Sequence, residues 1–319
     1  MIPVMLSLAA KPSKAKQGRG KGAMDASYFL GIDAGGSHCR ARLVDGAGAV
    51  LGEGRAGPAN FRLGAETAAA AVMAASHQAL TAAGLNQAIW PRTAVGLGMA
   101  GIERQGARAA LMVRPWPFAR LALASDAEIA HWGAHHGGDG GTLIVGTGSV
   151  AMMTQAQQSR RWGGYGFPIS DQGSGAELGL WALRHALLAH DGLAPAAGLA
   201  AAVLDRFGGD IAAIIAFQDQ ASATDYAALA PLVTAQAQAG DTSARALMQA
   251  AAQALAPMLD AMAQAGADRL VLLGGLAASI KPWLAQAGRT DLVEPLGDAP
   301  AGALMLARGP TPQALAEPV

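Results

Sequence analysis

Lysine all but vanishes from this chain after residue 21: of 319 positions, only Lys281 carries one beyond that point. A phosphate loop of the Walker type needs Gly-Lys-Ser/Thr, so that class of nucleotide site is excluded from the body of the protein. Cysteine occurs once, at Cys39. One thiol excludes an intramolecular disulfide and a multi-thiolate zinc centre, and on an apolar strand it reads as a small buried hydrophobe. Long hydrophobic runs are missing too. Gly, Arg or Asp interrupts each apolar stretch short of the ~20 residues of a membrane span, so the chain reads as soluble and cytoplasmic, with no membrane partner. Net charge is zero, 23 basic residues against 23 acidic ones.

That zero conceals a change of composition. Residues 1–24 carry Lys11, Lys14, Lys16, Arg19 and Lys21 without one acid, leaving 18 basic against 23 acidic residues in the rest. The body is mildly acidic and offers no footprint for nucleic acid. Met5 to Ala10 is too short for a secretory core and lies on the wrong side of the basic cluster. Residues 1–24 are therefore expected to be a disordered or non-native leader, with Met24 as the start of the folded chain. The whole chain is 52% hydrophobic, enough for one large or two ordinary domains.

From Tyr28 the pattern is an apolar strand, a turn at Gly35-Gly36-Ser37, and a strand of period two through Cys39-Arg40-Ala41-Arg42-Leu43. A third strand from Ala49, a helix from Gly64 to Gly84, the strand Thr93 to Gly101, a helix from Arg104 and the strand Ala119 to Asp126 follow. The order βββαβαβ predicts an α/β fold with mixed sheets. It begins again at Thr142, with a second Gly-hydroxyl turn at Gly146-Thr147-Gly148-Ser149 and a third strand in "SRRWGGYG". Ala-rich helices over 174–265 and the strand-turn-helix "DRLVLLGGLAASIKPWL" complete the second half. The chain reads as two related halves.

Gly-rich turns expose backbone N–H groups, and Ser or Thr adds a hydroxyl, so each turn can form a concave anion site. One such turn is an ordinary hairpin. Two, each opening one half of a duplication, can close on a polyphosphate from opposite sides. A competing signal is Gly96-Leu97-Gly98-Met99-Ala100-Gly101 after a strand, the fingerprint of a dinucleotide-dependent dehydrogenase. Against it, three strands precede this unit, and the nearest strand-end acid, Asp126, lies 30 residues on rather than ~20.

Asp126 ends a strand at the junction of the halves, where ligands bind in open sheets, or else it caps the helix "AEIAHWGAHH". Asp171, before another helix, carries the same ambiguity. Asn60 lies in a loop where Asn is commonplace. His131 and His135 share a helix face with His136 beside them. Lacking an acid partner in the zincin pattern, they read as surface residues rather than metal ligands.

Six segments in order, "GIDAGGSHCRAR", "SDAEIA", "IVGTGS", "GGYGFPISDQGSG", "VLLGGLA" and "APAGALMLA", resemble the bacterial glucosamine and N-acetylglucosamine kinases of the BadF/BadG/BcrA/BcrD ATPase family, within the actin, hexokinase and heat-shock chaperone superfamily. The resemblance spans about Tyr28 to Arg308. It implies a duplicated ribonuclease H-like (actin-like ATPase) fold, two lobes with mixed sheets around a central cleft. The N-terminal lobe would be 25–123, completed by a C-terminal helix at 300–310, and the C-terminal lobe 124–299. Cofactors would be ATP and Mg²⁺, and the substrate an amino sugar, glucosamine rather than N-acetylglucosamine, phosphorylated at its 6-hydroxyl.

By the same resemblance, Gly35, Gly36 and Ser37 would hold phosphate from one lobe and Gly146, Thr147, Gly148 and Ser149 from the other. Gly274 and Gly275 would border the adenosine. Asp33 would orient hydrated magnesium and Asp126 would be the catalytic base. Asn60, Gly164, Tyr165, Gly166 and Asp171 would hold sugar hydroxyls, with Asp126 also touching the sugar, and a homodimer is compatible with the family. The chain departs from the family at Ala34, where a glycine is usual, and at Gln172, where many relatives carry Glu. Two further readings stand beside the kinase. An ATPase activator of a partner dehydratase would need more than one thiol for its iron–sulfur cluster, and a sugar-sensing regulator would need a DNA-reading module that the leader is too short to supply.

Overall fold

In the computed structural model, which describes residues 26–309, the opening pattern of period two folds as a meander. β1 (Tyr28–Ala34) pairs antiparallel with β2 (Cys39–Asp45), and β3 (Val50–Ala56) with β2. α1 (Ala65–Ala82) precedes β4 (Thr93–Met99), parallel to β1; α2 (Ala107–Met112) precedes β5 (Arg120–Ser125), parallel to β4. The first sheet thus runs β3-β2-β1-β4-β5. α3 (Asp126–His135) then leads into β6 (Gly140–Val145), and the order repeats.

β7 (Ser149–Gln155) and β8 (Gln158–Gly163) form the second meander with β6. β9 (Leu270–Leu273) runs parallel to β6 and β10 (Leu292–Val293) parallel to β9, giving the order β10-β9-β6-β7-β8. Strand for strand this repeats the first sheet, so the duplicated, mixed-sheet, actin-like fold is what the chain adopts. Six helices are inserted between β8 and β9: α4 (Gly175–His190), α5 (Leu199–Arg206), α6 (Ile211–Gln220), α7 (Ala223–Ala227), α8 (Ala230–Gln238) and α9 (Thr242–Gln264). α10 (Ala277–Gln286) joins β9 to β10, and α11 (Ala299–Arg308) ends the described chain. The two-residue β10 carries no periodic signal and was not anticipated.

Each sheet has its own apolar core: Leu30, Ile32, Val95 and Leu97 belong to the first, Leu143, Val145, Leu178 and Leu255 to the second. A smaller cluster, with Ile129, Trp132, Ala303 and Leu306, joins α3 to α11. α11 reaches β1 and β4 because Gly31 and Gly96 carry no side chain. A methyl there would fall 2.3 Å from the Pro300 carbonyl oxygen and 1.9 Å from that of Ala303. At Gly98 a methyl would fall 2.3 Å from the Ile129 side chain on α3. Two glycines of the GxGxxG series are therefore spent on helix packing inside a fully buried strand, which removes the ground for a dinucleotide site.

Cys39 is fully buried in the first core, and burial, reinforced by the charge of Asp33, pushes its thiol up to about 12. It behaves as the hydrophobe expected of it. The Ala34 methyl is buried in the same core, so the departure from glycine is accommodated. The expected leader lies outside the described residues. Among the described residues no helix is long and apolar enough to cross a membrane.

Candidate active site

The equivalent ends of β1 and β6 face one cleft of about 950 Å³ between the two sheets. Its lining includes Asp33, Gly36, Ser37, Asn60 and Asp126 from the first half of the chain. From the second half come Gly146, Thr147, Gly148, Ser149, Gly164, Tyr165, Gly166, Asp171 and Gly274. Gly35 and Gly275 adjoin it without lining it.

In the first turn the Gly35 N–H closes the hairpin on the His38 carbonyl at 3.0 Å. In the second the Gly146 N–H closes on the Gly148 carbonyl at 2.8 Å. Among the described residues, the N–H groups of Gly36, Ser37, Thr147 and Gly148 have no protein acceptor, which leaves four donors for an anion. The hydroxyls differ. Ser37 and Thr147 are exposed, whereas Ser149 is buried and donates to the Gln172 carbonyl at 2.7 Å. Gln172 itself is exposed and does not line the cleft. Gly274 must be glycine: its φ is +102° and a methyl would fall 2.2 Å from the Val145 carbonyl oxygen. That close approach brings the nitrogen of Gly275 to 3.9 Å from where a Gly146 methyl would stand.

Asp126 is not the helix cap. Ser125 caps α3, accepting from the Glu128 N–H at 3.1 Å, while the Glu128 carboxylate accepts from the Ser125 N–H at 2.7 Å. Asp126 occupies the first helical position, where its carboxylate accepts only from the Ala127 N–H at 3.0 Å and remains partly open to the cleft. Burial, then the charge of Asp33 and more weakly that of Glu103, pushes its pKa up to about 6.

Asp33, at the end of β1, accepts from Arg40 Nε at 3.1 Å and Nη2 at 2.6 Å. The two are cross-strand partners in the hairpin, so the register that was legible in the sequence also contained this ion pair. Asp171 does not cap α4 either, since Ser174 does. It adopts a left-handed φ of +68°, and the backbone N–H groups of Gly166, Ser149 and Phe167 lie on the side of its carboxylate and favour its charged form. Burial nonetheless pushes its pKa upward. A methyl on Gly148 would stand 2.5 Å from its Oδ2, so Asp171 braces the second turn against the 164–167 loop. Asn60 caps the short helix Phe61–Leu63, accepting from the Arg62 N–H at 2.9 Å. Its Nδ2 lies toward Gly36.

One expectation is corrected. His131 and His135 are not surface residues but 1% and 4% exposed. His131 is hydrogen-bonded through both ring nitrogens, to Thr142 Oγ1 and Thr154 Oγ1 at 2.9 Å each, and His135 Nε2 reaches Thr142 Oγ1 at 3.0 Å. Burial pushes His131 down to about 3 and lowers His135. α3 packs between α11 and the strands β6 and β7, which buries the face that carries the two histidines. Among the described residues no group of His, Cys, Asp or Glu is arranged to hold a metal by itself. Arg40, Glu103 and Arg161 also line the cleft and were not singled out by motif; Glu103 and Arg161, 58 residues apart, carry no joint signal in the sequence.

The family described as BadF/BadG/BcrA/BcrD ATPases matches residues 30–307. The chain belongs to that family. Its similarity to the glucosamine kinase GspK of Vibrio cholerae is 39% identity over 284 residues, covering 89% of this chain and 97% of that protein. The N-acetyl-D-glucosamine kinase of Dictyostelium discoideum is 28% identical over 251 residues, 72% of this chain and 77% of that one. A solved structure from Chromobacterium violaceum, provisionally assigned as an N-acetylglucosamine kinase, superposes with a TM-score of 0.84 at 34% identity. It covers 89% of this chain and 99% of that one. A ROK-family glucokinase from Streptomyces griseus, solved with glucose and AMPPNP, shares the fold at TM-score 0.56 and 18% identity. In this BadF/BadG/BcrA/BcrD member, the residues matched by motif lie at one end of both sheets, around a carboxylate whose proton affinity is raised.

Proposed function

We propose that the protein transfers the γ-phosphoryl group of ATP to the 6-hydroxyl of an amino sugar, glucosamine. The observation that carries this reading is Asp126 between two Gly-hydroxyl turns that offer unpaired N–H donors from opposite sheets. The sequence similarity over nearly the whole of the Vibrio glucosamine kinase supports the choice of sugar. Gly36 and Ser37 on one side, with Thr147 and Gly148 on the other, would hold the phosphates, and Gly274-Gly275 would border the nucleoside. Gly35 shapes the first turn, while Gly146 and Ser149 shape the second. Asn60, Gly164, Tyr165 and Gly166 would hold sugar hydroxyls. Asp171, which also lines the cleft, would present its carboxylate to a sugar hydroxyl.

Asp126 would accept the proton of the 6-hydroxyl as the oxygen attacks phosphorus. A pKa of about 6 leaves it ionised at neutral pH yet basic enough to take that proton. The site suits a largely hydrated Mg²⁺. Asp33 and Asp126 face the same cleft and repel, and among the described residues no protein cage of three or more ligands surrounds them. Asp33 would hold the ion through water, and the ion would supply charge neutralisation on the phosphates. The lobes are taken as 25–123 with α11, and 124–299, working in the cytoplasm where ATP is supplied. Coupled ADP release over a panel of hexoses and amino sugars tests the reading. Turnover stimulated by glucosamine is expected, and no stimulation by any sugar would defeat it. A higher kcat/KM for N-acetylglucosamine would overturn the sugar assignment alone.

A further inference from the structure

Two charged groups lining the cleft meet each other across it: Arg161 on β8, and Glu103 in the turn after β4, whose charge also adds weakly to the raised pKa of Asp126. They come from different sheets, yet Arg161 Nη1 lies 2.5 Å from Glu103 Oε2. The guanidinium also donates from Nε to the Gly163 carbonyl at 3.2 Å and from Nη2 to the Gly164 carbonyl. Its carbon lies 5.8 Å from the centre of the Tyr165 ring. Gly163, Gly164 and Gly166 all have positive φ, 68°, 71° and 102°. A loop of such residues has much conformational freedom to lose, and Arg161 ties down two of its carbonyls. At the far end, Glu103 follows a turn in which the Ala100 carbonyl accepts the Phe61 N–H at 3.0 Å, beside Asn60.

We propose that Arg161, anchored across the cleft by Glu103, is the positioning residue for the amino-sugar loop. It holds Gly164 to Gly166 in the shape that receives the sugar and ties that loop to the side bearing Asn60 and Asp126. The inference rests on the kinase reading and deepens it. Arginine is required because the three acceptors diverge, and a planar fork meets them where a single ammonium cannot.

The test measures sugar KM at saturating ATP, ATP KM at saturating sugar, and kcat, for R161Q, R161K, E103Q and the double variant R161Q/E103Q. R161Q is expected to raise sugar KM roughly tenfold or more while kcat falls less than about threefold and ATP KM stays put, the pattern of lost ground-state positioning. R161K should not restore it. E103Q removes only a partly exposed pair and should raise sugar KM about two- to fivefold. The wild-type sugar KM is expected to rise as salt goes from about 0.05 to about 0.5 M, and E103Q should flatten that rise. In the double variant, E103Q should add nothing to R161Q. A fall in kcat with unchanged sugar KM, or fully multiplicative single effects, would overturn the proposal. E103Q alters an exposed turn and decides the matter even where R161Q does not fold. A wild type without sugar-dependent ADP release removes the kinase reading and this inference with it. An active wild type whose sugar KM is unmoved in both single variants removes this inference alone.

Discussion

Replacing Asp126 by Asn should cost the protein its activity and make it more stable. The activity loss follows from removing the proposed base, since a positioned general base contributes about 10²–10⁴-fold. The stability gain follows from the environment of the carboxylate. Its pKa is about 6 in the fold against 3.8 in its absence, a difference of about 2 units at 1.36 kcal/mol each, or about 3 kcal/mol as an upper bound. Because Asp126 stays partly open to the cleft, solvent reduces that figure, and losing a negative charge at the first turn of α3 removes a further ~0.3–1 kcal/mol of helix-dipole attraction. A net gain of about 1–2 kcal/mol remains. No cap is lost, because Ser125 supplies it. The sign with pH is fixed. Above pH 6 the native wild-type carboxylate is ionised in an unfavourable site and Asn is the better residue. As pH falls from 6 toward 3.8 the folded wild type binds a proton and the difference disappears. Urea unfolding at about pH 8 and about pH 4, without nucleotide or metal, measures this, alongside kcat at pH 8. A folded variant with near-normal turnover would refute the catalytic assignment. A variant less stable than wild type at pH 8 would refute the electrostatic argument.

Asp33→Asn removes the second contributor to the raised pKa of Asp126, so the acid limb of kcat/KM should move below pH 6 and the Mg²⁺ requirement should rise; an acid limb that stays in place would show that the two carboxylates do not interact. Gly148→Ala places a methyl 2.5 Å from Asp171 Oδ2. The displacement, on the order of 1 Å, should raise KM for ATP by roughly tenfold and up to ~10²-fold, measured at saturating sugar. His131→Ala removes one hydrogen bond from each of the buried hydroxyls of Thr142 and Thr154, which keep His135 and Ser159 as partners, at a cost of roughly 1–3 kcal/mol in denaturant unfolding. Because His131 titrates near 3 in the fold and 6.5 outside it, native stability should fall as pH drops below 6.5, and the variant should show a shallower fall.

What the sequence made legible was whatever depends on neighbours along the chain. Period two and a Gly-rich turn specify each hairpin, and the hairpin register already placed Arg40 opposite Asp33. The cap was legible as well, because Ser125-Asp126-Ala127-Glu128 is the Ser-x-x-Glu capping signature. Reading Asp126 as a possible cap overlooked the serine before it. The histidines could not be placed this way. An i,i+4 pair marks one face of a helix, and a face reads as solvent-facing only if the helix has one. On α3 the face bearing both histidines meets β6 and β7, the strands that follow it, while α11 packs on the helix from far downstream. The pairing of Arg161 with Glu103 depends on how two sheets are set against each other, which no local pattern encodes.

The duplication explains why the site arises where it does. In both sheets the central strand is the first of its meander, β1 in one and β6 in the other, and each is flanked by a parallel strand on its far side. Each meander turn therefore emerges at the same end of its sheet as the segments following β4, β5 and β9. One end then gathers the two phosphate-type turns, Gly274 at the close of β9, and Asp126 immediately after β5. A single copy would present one weak anion site on a sheet edge. Two copies joined through α3 confront their turns across a cleft, and the joining helix begins at the residue that must lie between them. This arrangement gives Asp126→Asn its diagnostic value: a residue that served only the fold would be expected to sit in a favourable environment, whereas burial beside Asp33 raises the proton affinity of Asp126, so the substitution separates the catalytic proposal from a purely structural role.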